Sequence, residues 1–71
     1  MKNNILKQFG NRVRKIRLEK KLSQYSLGAI CNLDRNFIGM IERGQKNPSL
    51  KSIEKIADGL EVSIMDFFKI Q

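Results

Sequence analysis

The stretch SQYSLGAICNLDRNFIGMIERG, residues 23–44, contains two short helical patterns joined by a tight corner. Ser23 is an N-cap for the first, because its hydroxyl can accept a hydrogen bond from an orphan backbone N–H. Leu27 and Ile30 then fall on one helical face. Asn32 stands where that helix must stop, and asparagine tolerates the left-handed conformation such a corner needs. Asp34 is the expected cap of the second helix. Ile38 and Ile41 give this helix an apolar face, and Gly44 ends it.

Two helices of about two turns each, sharing one apolar side across a tight turn, form the pattern of a helix-turn-helix over about residues 24–43. At roughly 100° per residue, the side of the second helix away from Ile38 and Ile41 carries Asn36, Gly39, Met40 and Arg43. Arg35 sits at one border and Phe37 at the other. Arg35 and Asn36 belong to the first turn, the part that reaches base edges when such a helix enters a major groove. Arginine can hold both acceptors of guanine, and asparagine both groups of adenine. On an isolated amphipathic helix the same residues read as an ordinary solvated face. The preceding helix and the corner favour the base-reading alternative. Phe37 either touches a thymine methyl or tucks against the edge of the core.

The Ser23-Gln24 start, Leu27, the small Gly28, Ile38 and the Ile41-Glu42-Arg43-Gly44 ending resemble the DNA-binding domain of the phage lambda repressor and Cro type, the XRE family. The run NLDRNFIGMIERGQKNPSLKSIEKIADGLEVS, residues 32–63, is similar to the controller proteins of restriction–modification systems. The resemblance covers nearly the whole chain. It implies an all-α, five-helix lambda-repressor-like domain that binds a pseudo-palindromic double-stranded DNA operator as a homodimer. Regulation of a restriction–modification operon follows from it, with RNA polymerase as a further candidate partner. The resemblance also implies that Gln24 meets a DNA phosphate, that polar contacts to DNA extend into the loop after Gly44, and that Arg17 pairs with Glu42 as a structural ion pair.

Composition sets the outer bounds. A 71-residue chain makes one domain, close to the lower limit for folding on a single core. No apolar run is long enough for a bilayer, and the N-terminus lacks a signal-peptide pattern. The lone Cys31 cannot form an internal disulfide and reads as a small buried hydrophobe in a reducing cytoplasm. The net charge of +7 is unevenly placed. Residues 1–21 hold eight basic side chains against Glu19, whereas residues 22–71 are balanced. A basic domain calls for a polyanionic partner.

Ile5, Phe9, Val13 and Ile16 recur as the stripe of an amphipathic first helix, with Gly10 a weak point inside it. Its basic faces suit DNA phosphate or, less well, a membrane surface, since the apolar stripe is needed for the core and no Trp is present. Gly28 suits a close helix crossing. Gly39 either lets the backbone approach a groove or carries no function. Arg43, Lys46 and Asn47 are candidate backbone contacts, although a loop lysine such as Lys46 is as often merely solvated. Leu50, Ile53, Ile56, Ala57 and Leu60 mark the buried face of a fourth helix capped by Ser49, and how it closes around Gly59 and Glu61 is left open. Ser63 with Asp66 looks like a capping box for a last helix. The segment of about residues 60–70 carries Leu60, Ile64, Met65, Phe67, Phe68 and Ile70, too many apolar groups for one small helix to bury. It therefore reads as the dimer interface, or else as a tail wrapped on the core.

The sequence holds no His, no paired Cys and no glycine-rich phosphate loop after a strand. No catalytic apparatus, metal site or cofactor is expected. Two other readings use the same helix-turn-helix: a phage- or plasmid-type repressor, and an antitoxin-like module whose apolar tail covers another protein.

Overall fold

A computed structural model describes residues 4–68. Four α-helices follow one another: α1 over Ile5–Glu19, α2 over Gln24–Cys31, α3 over Arg35–Glu42 and α4 over Leu50–Leu60. The described chain ends in a 3₁₀ segment, Ile64–Phe68. The expected fifth α-helix is thus a single tight stretch among the described residues. Its start has the anticipated cap: Ser63 N–H donates to Asp66 Oδ2 at 2.9 Å and Met65 N–H to Ser63 Oγ at 3.0 Å. Asp66 N–H then closes an i→i+3 bond onto Ser63 at 2.9 Å, the 3₁₀ pattern. Arg12 Nε of α1 takes the Asp66 carbonyl at 2.9 Å. Lys2 and Ile70 lie outside the described residues.

Caps explain most of the boundaries. Asn4 accepts from Leu6 and Lys7 ahead of α1, Ser23 from Ser26, and Ser49 from Ser52. Asp34 occupies the cap position of α3, yet its side chain makes no capping bond. Asn32 is left-handed at φ 59°, ψ 45°, the corner its residue type suits. Leu33 N–H reaches back to the Gly28 carbonyl at 2.8 Å and fixes that corner. The end of α4 closes on an unexpected residue. Glu61 adopts φ 61°, ψ 43°, and Val62 N–H donates to the Ala57 carbonyl at 3.0 Å. A non-glycine residue in that region costs about 1–2 kcal/mol, which the packing of Val62 against the core offsets.

Phe9, Val13, Ile16, Leu27, Cys31, Ile38, Ile41, Ile56, Ala57, Leu60 and Phe67 make the core. Three positions expected inside are outside. Ile5 and Ile30 are more than half exposed, and Leu50 is 79% exposed. In α2 the inward pair is Leu27 and Cys31, one turn apart, which rotates Ile30 to the rim. Ile5 and Leu50 are the first residues of α1 and α4, at the ends of their apolar stripes. Burial pushes the Cys31 thiol up, with the Asp58 carboxylate adding to the effect, so this side chain acts as an inert small hydrophobe.

Two helix crossings require glycine. A Cβ on Gly10 would stand 2.2 Å from the Ile41 carbonyl oxygen, and one on Gly28 2.5 Å from that of Leu33. The weak point of α1 is therefore where the end of α3 crosses against it, and Gly28 seats the start of α3 against α2.

Between these crossings lies a buried ion pair. Arg17 Nε donates to Glu42 Oε2 at 2.6 Å and Arg17 Nη2 to Glu42 Oε1 at 3.0 Å, with side chains 8% and 2% exposed. Arg17 Nη1 donates to the Leu22 carbonyl at 2.7 Å, and Gln24 Nε2 donates to Glu42 Oε1 at 3.1 Å. The pair that the family resemblance implied is present, and it joins α1, the approach to α2, and α3. Removing one partner leaves a buried charge, at a cost of about 3–5 kcal/mol. A chain of this length has about 4–11 kcal/mol in total. Glu42→Ala should accordingly lose most of its cooperative melt, measured by circular dichroism; a midpoint within a few degrees of wild type would refute the assignment.

Candidate nucleic-acid interface

α3 lies with Ile38 and Ile41 fully buried and its first turn outward. Arg35 and Asn36 are exposed there, as the periodicity predicts. Gln24, Arg35, Asn36, Gly39, Met40 and Arg43 line one open cleft of about 370 Å³ along the outer side of α3. Four predicted contact residues, Gln24, Arg35, Asn36 and Arg43, are thus brought together from α2 and α3. Their side chains offer two guanidinium groups and two amides. Of the carboxylates nearby, Glu42 is neutralised by Arg17, and Asp34 lies beside Arg35 on the neighbouring hollow toward Tyr25. The cleft therefore presents donors and positive charge to solvent, which suits base-edge acceptors and phosphate oxygens.

Gln24 is half-buried and held in place. One hydrogen of its Nε2 goes to Glu42, so the amide has a fixed direction and one further N–H. It stands at the capped start of α2, where free backbone N–H groups also favour an anion. Gly39 has a local reason. A Cβ there would come within 3.2 Å of Arg43 Nη1 and 3.3 Å of Gln24 Oε1. The missing side chain lets those two groups fold across α3. Arg43 is further steadied by a bond from its Nε to Gln45 Oε1 at 2.9 Å.

The other predicted contacts stand apart from this cleft. Phe37 is half-buried and packs against the core, which favours the core-edge alternative for it. Lys46 and Asn47 are exposed in the loop after α3. Asn47 borders a separate apolar groove of about 110 Å³, with Ile5, Leu6, Pro48, Ile53 and Phe68.

The expected dimer segment divides in two. Leu60 and Phe67 are fully buried within the protomer, so neither can present an exposed face. Phe67 meets Phe9 edge to face at 5.1 Å between centroids, which draws the segment onto α1. Phe68 stacks on the same ring at 5.7 Å but remains partly exposed. Ile64 and Met65 are exposed, Met65 to 72%. The segment thus wraps the core with one side and leaves Ile64, Met65 and Phe68 outward. Sequence reading passed over Tyr25, an exposed aromatic on α2 whose ring faces the Arg35 guanidinium. Its place directly after Gln24, at the start of a helix, was the available signal.

No described helix is long and apolar enough to cross a membrane, and the described residues contain no cluster of acidic, Cys or His side chains that could hold a metal.

Comparison with known proteins agrees with this geometry. Residues 13–67 match the helix-turn-helix family model. The chain is 47% identical over 74 residues to control protein C.BamHI of Bacillus amyloliquefaciens, covering 99% of this chain and 91% of that one. Its fold matches the restriction–modification controller protein C.AhdI from Aeromonas hydrophila with a TM-score of 0.87 and 43% identity, covering 89% and 96% of the two chains. A second controller protein, C.Esp1396I, solved as a tetramer with its natural 35 base-pair operator, matches with a TM-score of 0.83 and 45% identity over 90% of this chain and 84% of that one. The chain belongs to the helix-turn-helix family, and within it to the restriction–modification controller proteins.

Proposed function

We propose that this chain is a sequence-specific DNA-binding transcriptional regulator that binds a pseudo-palindromic operator as a dimer and controls a restriction–modification operon. The observation that carries the reading is the outward first turn of α3, with Arg35 and Asn36 opening a cleft shared with Gln24 and Arg43. The operator complex of C.Esp1396I supports it, since that relative is folded alike.

In this reading α3 enters the major groove, and the two copies sit with half-site centres about 34 Å apart. Arg35 and Asn36 meet base edges. Phe37 braces α3 from the core side. Gln24, Arg43, Lys46 and Asn47 fix the register on the backbone, where contacts position without specifying sequence. The basic surplus of α1 adds a salt-sensitive, sequence-independent attraction. The outward Ile64, Met65 and Phe68 form the centre of the dimer contact, next to the Ile5–Phe68 groove. The protein acts without catalysis, on operator DNA in the cytoplasm. Where the occupied site lies beside a promoter, RNA polymerase is the further partner.

Two measurements check this. Arg35→Ala should weaken the cognate duplex by about 1–3 kcal/mol and relax preference at one base pair; an equal loss on every sequence would reject base reading. Met65→Glu, far from the core, should move the sedimentation coefficient toward that of a monomer while leaving the helical spectrum intact. If the dimer persists, the contact lies on another face.

A further inference from the structure

Tyr25 has no part in the core. It stands on the first turn of α2 and is 66% exposed. The Arg35 guanidinium carbon lies 6.0 Å from its ring centroid, within cation–π reach. The two side chains border one open hollow with Ala29, Leu33 and Asp34. Among the described residues the Arg35 guanidinium makes no hydrogen bond or ion pair, and the Tyr25 ring is the aromatic face it meets.

A long side chain on an exposed first turn samples many rotamers and loses that freedom when it docks. An aromatic face narrows the choice without using any donor, because the N–H groups of a guanidinium radiate from its edge. The edge stays available for the paired acceptors of a guanine. The helix that carries the ring is anchored: Ser23 caps α2 through Ser26 at 2.9 Å, and Gly28 seats that helix against α3.

We propose that Tyr25 is a positioning residue for Arg35, its ring holding the guanidinium over the first turn of α3 and so sharpening the base preference that Arg35 confers. The proposal rests on the reading that Arg35 meets a base. The test uses the full chain and the duplex that the wild-type protein selects from a randomised pool. Binding of Tyr25→Leu, Tyr25→Phe, Arg35→Ala and the Tyr25→Leu/Arg35→Ala double variant is compared on that duplex and on its single-base-pair substitutions. Tyr25→Leu should relax discrimination by about two- to five-fold, the size of an exposed cation–π contact. The loss should fall at the same base pair that Arg35→Ala relaxes. Tyr25→Phe should keep the preference, and Tyr25→Leu should add nothing once Arg35 is gone. A uniform loss on all duplexes, a loss in Tyr25→Phe as large as in Tyr25→Leu, or an undiminished effect in the Arg35→Ala background would each overturn the proposal by assigning Tyr25 its own DNA contact. If Arg35→Ala relaxes a base pair and Tyr25→Leu does not, the positioning role alone falls. If Arg35→Ala changes no base preference, the base-reading of Arg35 falls first and this inference with it.

Discussion

The bond between Arg17 and Glu42 governs where everything else in this small domain points. Taking two charges out of water costs several kcal/mol per ion, and only full pairing offsets it. Here the pairing is full: both carboxylate oxygens accept from Arg17, the third guanidinium nitrogen finds the Leu22 carbonyl, and Gln24 adds a donor. No buried side-chain nitrogen or oxygen among the described residues lacks a partner. Apolar residues of similar volume could match the stability, but they have no direction. A forked guanidinium does. Glu42 is the last residue of α3 and Arg35 the first. Fixing the rotation of a rigid helix about 12 Å long at one end sets the azimuth of the side chains at the other.

Glycine supplies the complementary constraint. The crossings at Gly10 and Gly28 bring backbone against backbone at the two ends of α3. The ion pair sets the rotation of the helix, and the glycines set its depth. The outward face is left free of structural duty, apart from Gln24 and Arg43 folded over Gly39. This division explains how so few residues serve both a core and a binding surface. Charge is divided as well. The surplus belongs to residues 1–21, whereas residues 22–71 are electrically balanced. In the proposed complex, long-range attraction and local recognition thus come from different parts of the chain.

Much of this was legible in the sequence, for identifiable reasons. Ser23, Ser49 and Asn32 act through their own neighbours, so local chemistry foretold the caps and the corner. Ile38 and Ile41 oriented α3 because helical periodicity needs no knowledge of the rest of the fold. What local sequence does not settle has a common cause, a partner distant in the chain. Gly10 looked like a defect until α3 crossed it. Leu50 and Ile5 fit an apolar stripe, but each is the first residue of its helix and stays largely exposed. Glu61 takes a left-handed conformation that its residue type disfavours, and only the return of Val62 to the core justifies it. Phe67 and Phe68 are adjacent and equally apolar, yet Phe9 selects which ring goes inward. The Tyr25–Arg35 contact spans two helices and depends on a rotamer, beyond what spacing can tell.

In the proposed complex the first turn of α3 meets base edges in the major groove of two symmetric half-sites. Methylation interference at guanine N7, an atom exposed in that groove, tests it most directly. Interfering guanines are expected in two clusters related by a twofold axis, about 34 Å apart on one side of the duplex. Binding that tolerates N7 methylation throughout, or interference confined to minor-groove positions, would contradict it.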